Sequence, residues 1–205
     1  MQLIVRWLGC VVMMTALAFG ADAPVVGHGR VRALKITILS TMLADGDELG
    51  EWGFAALVEA DGHRLLFDMG ANQDVVLKNA RSLNIDLSDV PDVVLSHWHS
   101  DHIGGFLTLR ESVRAKSPAA LGRTHVGEGM FYPRRAMPPG VELNPMLRLR
   151  PDYEKQGGVF VSHDKPAQLH PGVWLTGPVP RRHPERNWSG SVQMITPAGI
   201  VEDNV

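Results

Sequence analysis

The chain has 205 residues and a mass of 22.5 kDa, enough for one domain with a substantial core. Its formal net charge is −2, with 44% hydrophobic and 20% charged residues, so nothing in the overall electrostatics favours nucleic acid or an anionic membrane as a partner. No internal repeat or low-complexity tract is visible despite 21 Gly and 14 Pro, which point instead to many turns.

Residues 1–23 read as a secretory signal peptide: Arg6 supplies the positive charge, residues 8–19 form an apolar stretch, and Ala18 and Gly20 offer small residues for cleavage. The apolar stretch is short for a membrane span, so the expected product is periplasmic or secreted, with no stable membrane anchor after cleavage. Cys10, the single cysteine, leaves with that segment, which excludes disulfides and leaves only nitrogen and oxygen donors for a metal. Residues 33–205 then form one domain. Residues 33–41 alternate Leu34, Ile36 and Ile38 with Lys35 and Thr37, the pattern of a half-buried strand. Residues 44–52 are acidic and carry glycines, as in a solvated turn. Residues 53–59 and 63–67 are two strands joined at Asp61-Gly62, a type I′ hairpin signal, with His63 an ordinary strand residue beside the turn. Asp68 ends the second strand. Asn72 or Asp74 caps a helix reaching about Asn84, with Val76, Ala80 and Leu83 spaced for one buried face.

The chemistry is concentrated just beyond Val93-Val94-Leu95, a β-branched apolar run that reads as a strand buried on both faces. Four potential metal ligands follow it: His97, His99, Asp101 and His102. Open α/β sheets place their sites at this position, outside the carboxyl end of a strand. In extended chain, residues two apart point the same way, so His97 and His99 can converge on one ion. Asp101 and His102 lie where the chain turns and can face a second. Imidazoles with one carboxylate suit zinc, iron or manganese, with zinc the default. The competing reading is a polar loop in a chain that holds nine His. Gly104 and Gly105 allow a tight turn before a second helix over residues 106–115.

The run His97-Trp98-His99-Ser100-Asp101-His102 resembles the signature of the metallo-β-lactamase-fold hydrolases. The longer stretch from Gly53 to Gly105 is similar to the dihydropterin–ribofuranosylaminobenzene-phosphate synthase-like branch, through Phe67-Asp68-Met69-Gly70 and Ile85-Asp86-Leu87-Ser88-Asp89. Met69 stands where that branch often has Thr. The resemblance implies an α/β fold, an αββα sandwich with helices outside stacked mixed sheets. It also implies that Asp68 braces the histidine loop and that metal ligands come from His97, His99, Asp101 and His102. Asp101 would in addition orient the attacking water.

Beyond residue 116, residues 124–132 read as a strand entering a glycine-rich loop, and short strands are expected at 158–162, 173–176 and 191–196. Gly177-Pro178-Val179-Pro180-Arg181 resembles a turn of the same branch. Arg134, Arg135, Arg181, Arg182 and Arg186 could receive an anionic small-molecule substrate, although solvated loop charges are the favoured reading. A catalytic zinc site needs about three protein ligands and an open position. The resemblance implies further ligands from a Gly-Cys-x-His-Ala-Gly segment that does not occur before Val205, so the fold is expected to be incomplete at the C-terminus. His125, His163, His170 and His183 remain as candidates, with His170 and His183 expected in loops before proline. Three functions follow: an exported metal-dependent hydrolase of an ester, lactone, amide or phosphoester; a truncated, catalytically impaired metal binder; or a non-enzymatic binding module on the same scaffold.

Overall fold

The computed structural model describes residues 29–136, 140–180, 182–183 and 192–203. The signal peptide expected over residues 1–23, together with Arg181 and Arg186, lies outside them. Strands β1 (Leu34–Ser40), β2 (Ala55–Ala60) and β3 (His63–Phe67) form an antiparallel meander. The Asp61-Gly62 corner has φ of +48° and +87°, the doubly left-handed geometry of the expected hairpin turn.

From β3 the sheet continues in parallel through β4 (Asp92–Val94), β5 (Arg123–Gly127) and β7 (Val159–His163), giving the order β1-β2-β3-β4-β5-β7. Parallel neighbours require crossovers. Helix α1 (Val75–Ser82) precedes β4, α3 (Phe106–Arg114) precedes β5 and α4 (Met146–Lys155) precedes β7. The one-turn helix α2 (Ser100–Ile103) lies between β4 and α3. Strands β6 (Arg134–Ala136), β10 (Val192–Thr196) and β11 (Gly199–Glu202) make a second sheet, and β8 (Ala167–His170) pairs with β9 (Val173–Leu175). No described helix is long and apolar enough to cross a membrane.

The core lies between the helices and one face of the large sheet. Val76 and Ala80 of α1, Phe106, Leu109 and Val113 of α3, and Met146 and Tyr153 of α4 pack on Leu57, Leu66, Val93, Leu95 and Val126. The central strand is buried on both sides, as its unbroken apolar run requires. Two large buried polar side chains find carbonyl partners here, although Arg110 Nε has none among the described residues. The Tyr153 hydroxyl donates to the Leu121 carbonyl at 2.8 Å and accepts from Thr124 Oγ1 at 2.8 Å. The Arg110 guanidinium, 1% exposed, donates to the Gln156 carbonyl at 2.9 Å and to that of Ala120.

Several expectations are corrected. Leu34, Ile36 and Ile38 are 62%, 54% and 45% exposed, whereas Leu39 and Ser40 are buried. Strand β1 is a sheet edge whose other face lies under α1, and an irregularity between Ile38 and Ser40 shifts its register. Helix α1 ends at Ser82 and leaves Leu83 40% exposed. Asp74 occupies the N-cap position without a side-chain cap and pairs instead with Lys78 at 2.6 Å. His170 belongs to β8 rather than to a loop, while His183 is exposed. Helix α4 has no counterpart in the sequence reading, because Pro151 inside it and Pro145 at its start mask the periodicity.

Replacing Tyr153 by Phe leaves the Leu121 carbonyl and the Thr124 hydroxyl short of a partner inside the core. The expected cost is about 1–3 kcal/mol, read as a lower urea midpoint. An unchanged midpoint would show that water satisfies both groups.

Candidate metal centre

The site is built on two adjacent strand ends. Strands β3 and β4 run parallel, so Phe67 and Val94 pair and both chains leave the sheet at the same edge. Asp68 follows directly, in the left-handed region at φ +54°, with its amide donating to the Val94 carbonyl at 2.9 Å. That conformation is uncommon for a residue with a side chain, but Asp tolerates it better than most.

The turn after Asp68 is stitched to the histidine loop through backbone. Met69 N donates to His102 O at 2.8 Å, Gly104 N to Gly70 O at 2.7 Å and Gly105 N to Met69 O at 2.9 Å. A Cβ on Gly104 would lie 2.0 Å from the Ala71 carbonyl oxygen, so only glycine permits this approach. Phe54 N holds the Asp101 carbonyl at 3.1 Å from the other side. The buried Glu51 clasps the same turn: its carboxylate accepts from Ser40 Oγ at 2.6 Å, Ala71 N at 3.0 Å, and Asn72 N and Nδ2 at 2.7 Å. A solvated acidic turn was expected over residues 44–52. Its last carboxylate is instead structural, and no periodicity or motif marked it.

Asp68 is 1% exposed and fully engaged. Oδ1 accepts from Ser96 N at 2.8 Å; Oδ2 accepts from Ser96 Oγ at 2.7 Å and from His102 Nδ1 at 2.7 Å. A carboxylate can only accept, so His102 carries its proton on Nδ1 and keeps the Nε2 lone pair free. The Ser96 hydroxyl gives its hydrogen to Asp68, so its oxygen accepts from His97 Nδ1 at 2.9 Å. His97 therefore also presents an unprotonated Nε2. Burial, followed by the neighbouring His102 and His99 rings, holds the His97 pKa down to about 4, which keeps that lone pair available near neutrality. Burial likewise lowers His99. For His102, burial is outweighed by the Asp68 hydrogen bond and charge, and the pKa is raised.

Donor atoms of His97, Asp101 and His102 lie within 4.8 Å of one another, and His102 Nε2 is 3.7 Å from an Asp101 oxygen. Two imidazoles turned to offer Nε2 and a carboxylate fit a divalent ion such as zinc, iron or manganese. His99 stands outside this cluster; its ring lies edge-on to His97 and Trp98, with centroids 4.6 and 4.5 Å apart. The backbone reason is local. His99 has extended geometry as the N-cap of α2, whereas Asp101 and His102 are inside the helical turn.

His97 opens on a cavity of about 580 Å³ that also reaches Trp98, His125, His163 and Arg134. Arg134 is not a solvated loop charge. It is 4% exposed, donates from Nε to Asp203 at 2.6 Å, and stacks 5.0 Å above Trp98. Trp98 Nε1 reaches the same Asp203 oxygen at 3.2 Å, which ties the end of β11 to the histidine loop. Arg135 and Arg182 are exposed.

The metallo-beta-lactamase superfamily profile matches residues 53–181, a span that contains the whole donor cluster. The chain belongs to that superfamily. Metal ions are usual in the superfamily, and the fold is the hydrolase-like one expected. A Methanocaldococcus jannaschii protein, 7,8-dihydropterin-6-methyl-4-(beta-D-ribofuranosyl)-aminobenzene-5'-phosphate synthase, is 28% identical over 159 residues, covering 74% of this chain and 52% of the relative. An uncharacterized protein of the same organism is 42% identical over 60 residues, covering 29% of this chain and 23% of its own length. The crystal structure of Tm1679, a metal-dependent hydrolase of the beta-lactamase superfamily, superposes with a TM-score of 0.60 at 24% identity, over 84% of this chain and 58% of that one. The chain thus spans about half the length of the first of these relatives.

Asp68→Asn would place amide hydrogens against His102 Nδ1 and remove the tautomer preference of this superfamily member. Zinc affinity, measured by calorimetry, is expected to fall about 10–100-fold with the circular dichroism spectrum retained. Undiminished affinity would mean that Asp68 does not set the ring.

Proposed function

We propose that this chain is an exported metal-dependent hydrolase in which His97, Asp101 and His102 hold the metal, His99 contributing on rotation of its ring. One observation carries the reading: three donors of the right chemistry lie within 4.8 Å of one another, and one of them, His97, lines a cavity large enough for a small molecule. A divalent ion held there would supply Lewis acidity, lowering the pKa of a water and polarising a substrate oxygen. The chain supplies the rest. Asp101, on the first turn of α2, orients the attacking water and accepts its proton. His97 and His102 are turned by Ser96 and Asp68 so that each presents Nε2 to the site. Trp98, clamped by Asp203 and Arg134, fixes the backbone between His97 and His99. The substrate is a small molecule with an ester, lactone, amide or phosphoester bond. Export rests on the leader pattern of residues 1–23.

The position of His99 outside the cluster favours a second reading, in which the same residues hold one ion as a structural clip without turnover.

Elemental analysis of the dialysed protein is expected to find one to two divalent ions, and the His97→Ala/His102→Ala double variant to find none. Equal metal content in the two proteins overturns the assignment. Asp101→Asn is expected to keep its fold and lose about 10²–10⁴-fold in turnover of a panel of chromogenic esters and phosphodiesters. A metal-loaded wild-type protein inert towards the whole panel would support the clip.

A further inference from the structure

A second set of titratable side chains lines the face of the large sheet away from the helices. In the parallel register Val94 pairs with His125 and Gly127 with His163, so Asp92, His125 and His163 share this face. Asp92 is 1% exposed and is held by Arg123 through Nε and, at 3.0 Å, through Nη2. His125 Nε2 lies 3.2 Å from Asp92 Oδ1, and His125 Nδ1 lies 2.9 Å from His163 Nε2. His170 Nε2 approaches the other Asp92 oxygen at 3.4 Å, and its ring stacks on His63 with centroids 4.1 Å apart.

The hydrogens in this chain are determined by what the carboxylate can do. Asp92 only accepts, so His125 carries its proton on Nε2 and its Nδ1 accepts from His163 Nε2–H. His163 Nδ1 is then the free end, and His163 lines the same cavity as His97. A buried carboxylate followed by two imidazoles, ending on a cavity, has the form by which an oriented imidazole handles protons. The arrangement exceeds what the sheet needs, since burying such groups costs stability unless each is bonded.

We propose that His163 is the proton donor to the leaving group, with His125 and Asp92 as positioning residues; this rests on the hydrolase reading above. The imidazolium form of His163 gives the Nδ1 proton to the departing oxygen as the acyl carbon–oxygen bond breaks and its electron pair moves to that oxygen. The oxygen of water adds to the acyl carbon, its proton passing to Asp101 and on to solvent, and a proton taken up from solvent returns His163 to its charged form, so one water is consumed. Asp92 and His125 fix which His163 nitrogen faces the cavity; burial, then the His125 ring, lowers the His163 pKa, so its imidazolium parts readily with the proton. Such a donor matters for leaving groups that cannot depart as anions. The cavity wall is largely apolar, including Phe67, Leu175 and Pro178; the carboxylate that reaches it, Glu128, disfavours an anion, and the guanidinium, Arg134, is already committed to Asp203. An uncharged ester of an aliphatic alcohol is therefore the substrate class.

The metal-loaded protein is assayed with ethyl butyrate and p-nitrophenyl butyrate, which share an acyl group and differ in the need for a proton. In His163→Ala, hydrolysis of the ethyl ester is expected to fall about 100-fold, with p-nitrophenyl ester turnover and metal content nearly unchanged. Equal losses on both esters, no loss on either, or release of metal overturns the donor role. If wild type cleaves neither ester, the donor role falls too. Ring-nitrogen NMR of the intact protein tests the hydrogen-bond chain without any turnover. His125 is expected as the Nε2–H tautomer, relaxing in Asp92→Asn, and an Nδ1–H tautomer in wild type overturns the proposal whatever the state of the hydrolase reading.

Discussion

The carboxylate of Asp68 is the interaction on which the site depends. It sits at the first position past a strand, in an unfavourable backbone conformation, and is almost wholly shielded from water. What keeps it there is the number of donors it satisfies: the Ser96 amide, the Ser96 hydroxyl and the His102 ring. Hydrogen bonds to a charged acceptor are roughly twice as strong as neutral ones. The same contacts determine which nitrogen of His97 and of His102 stays unprotonated. Folding and ligand chemistry are therefore coupled at one residue. A donor set whose protons were free to move would bind a cation only in competition with hydrogen ions.

Around this centre the chain uses backbone rather than side chains to set distances. The Asp68–Gly70 turn and the Gly104–Gly105 turn are joined by amide–carbonyl bonds between the two loops, and Glu51 closes the third side. This explains the density of glycine here better than flexibility does. Gly104 is needed because two main chains touch, not because one must bend. The donor cluster consequently moves, if at all, as part of a block that includes the ends of two central strands.

The first half of the fold was legible because its signals are local. The Asp61-Gly62 corner, the unbroken Val93-Val94-Leu95 run and the tight histidine spacing each predict structure from a few neighbouring residues. The features that escaped are non-local. His125 and His163 are 38 positions apart and meet only because β5 and β7 lie side by side in parallel. Trp98 and Asp203 are 105 apart. Arg134 reads as a loop charge until Asp203 and Trp98 enclose it. Glu51 lies in an acidic run whose Asp45 and Asp47 are exposed, so composition pointed the wrong way. Of the four motif residues, His97, Asp101 and His102 converge, while His99 is turned aside by its place at the start of a helical turn, a difference of ψ that spacing alone does not report.

Strand β1 has a consequence of a different kind. Three aliphatic side chains, Leu34, Ile36 and Ile38, stand in water along a ribbon whose outer amides and carbonyls face no neighbouring strand among the described residues. The Lys35–Glu59 pair, at 3.2 Å, places an exposed ammonium on this ribbon against a carboxylate that is itself largely shielded. Such a rim adheres to whatever extended peptide it encounters. Crowding therefore sets an upper bound on how concentrated these molecules can become before they begin to associate, a bound fixed by greasy perimeter rather than by the strength of the interior.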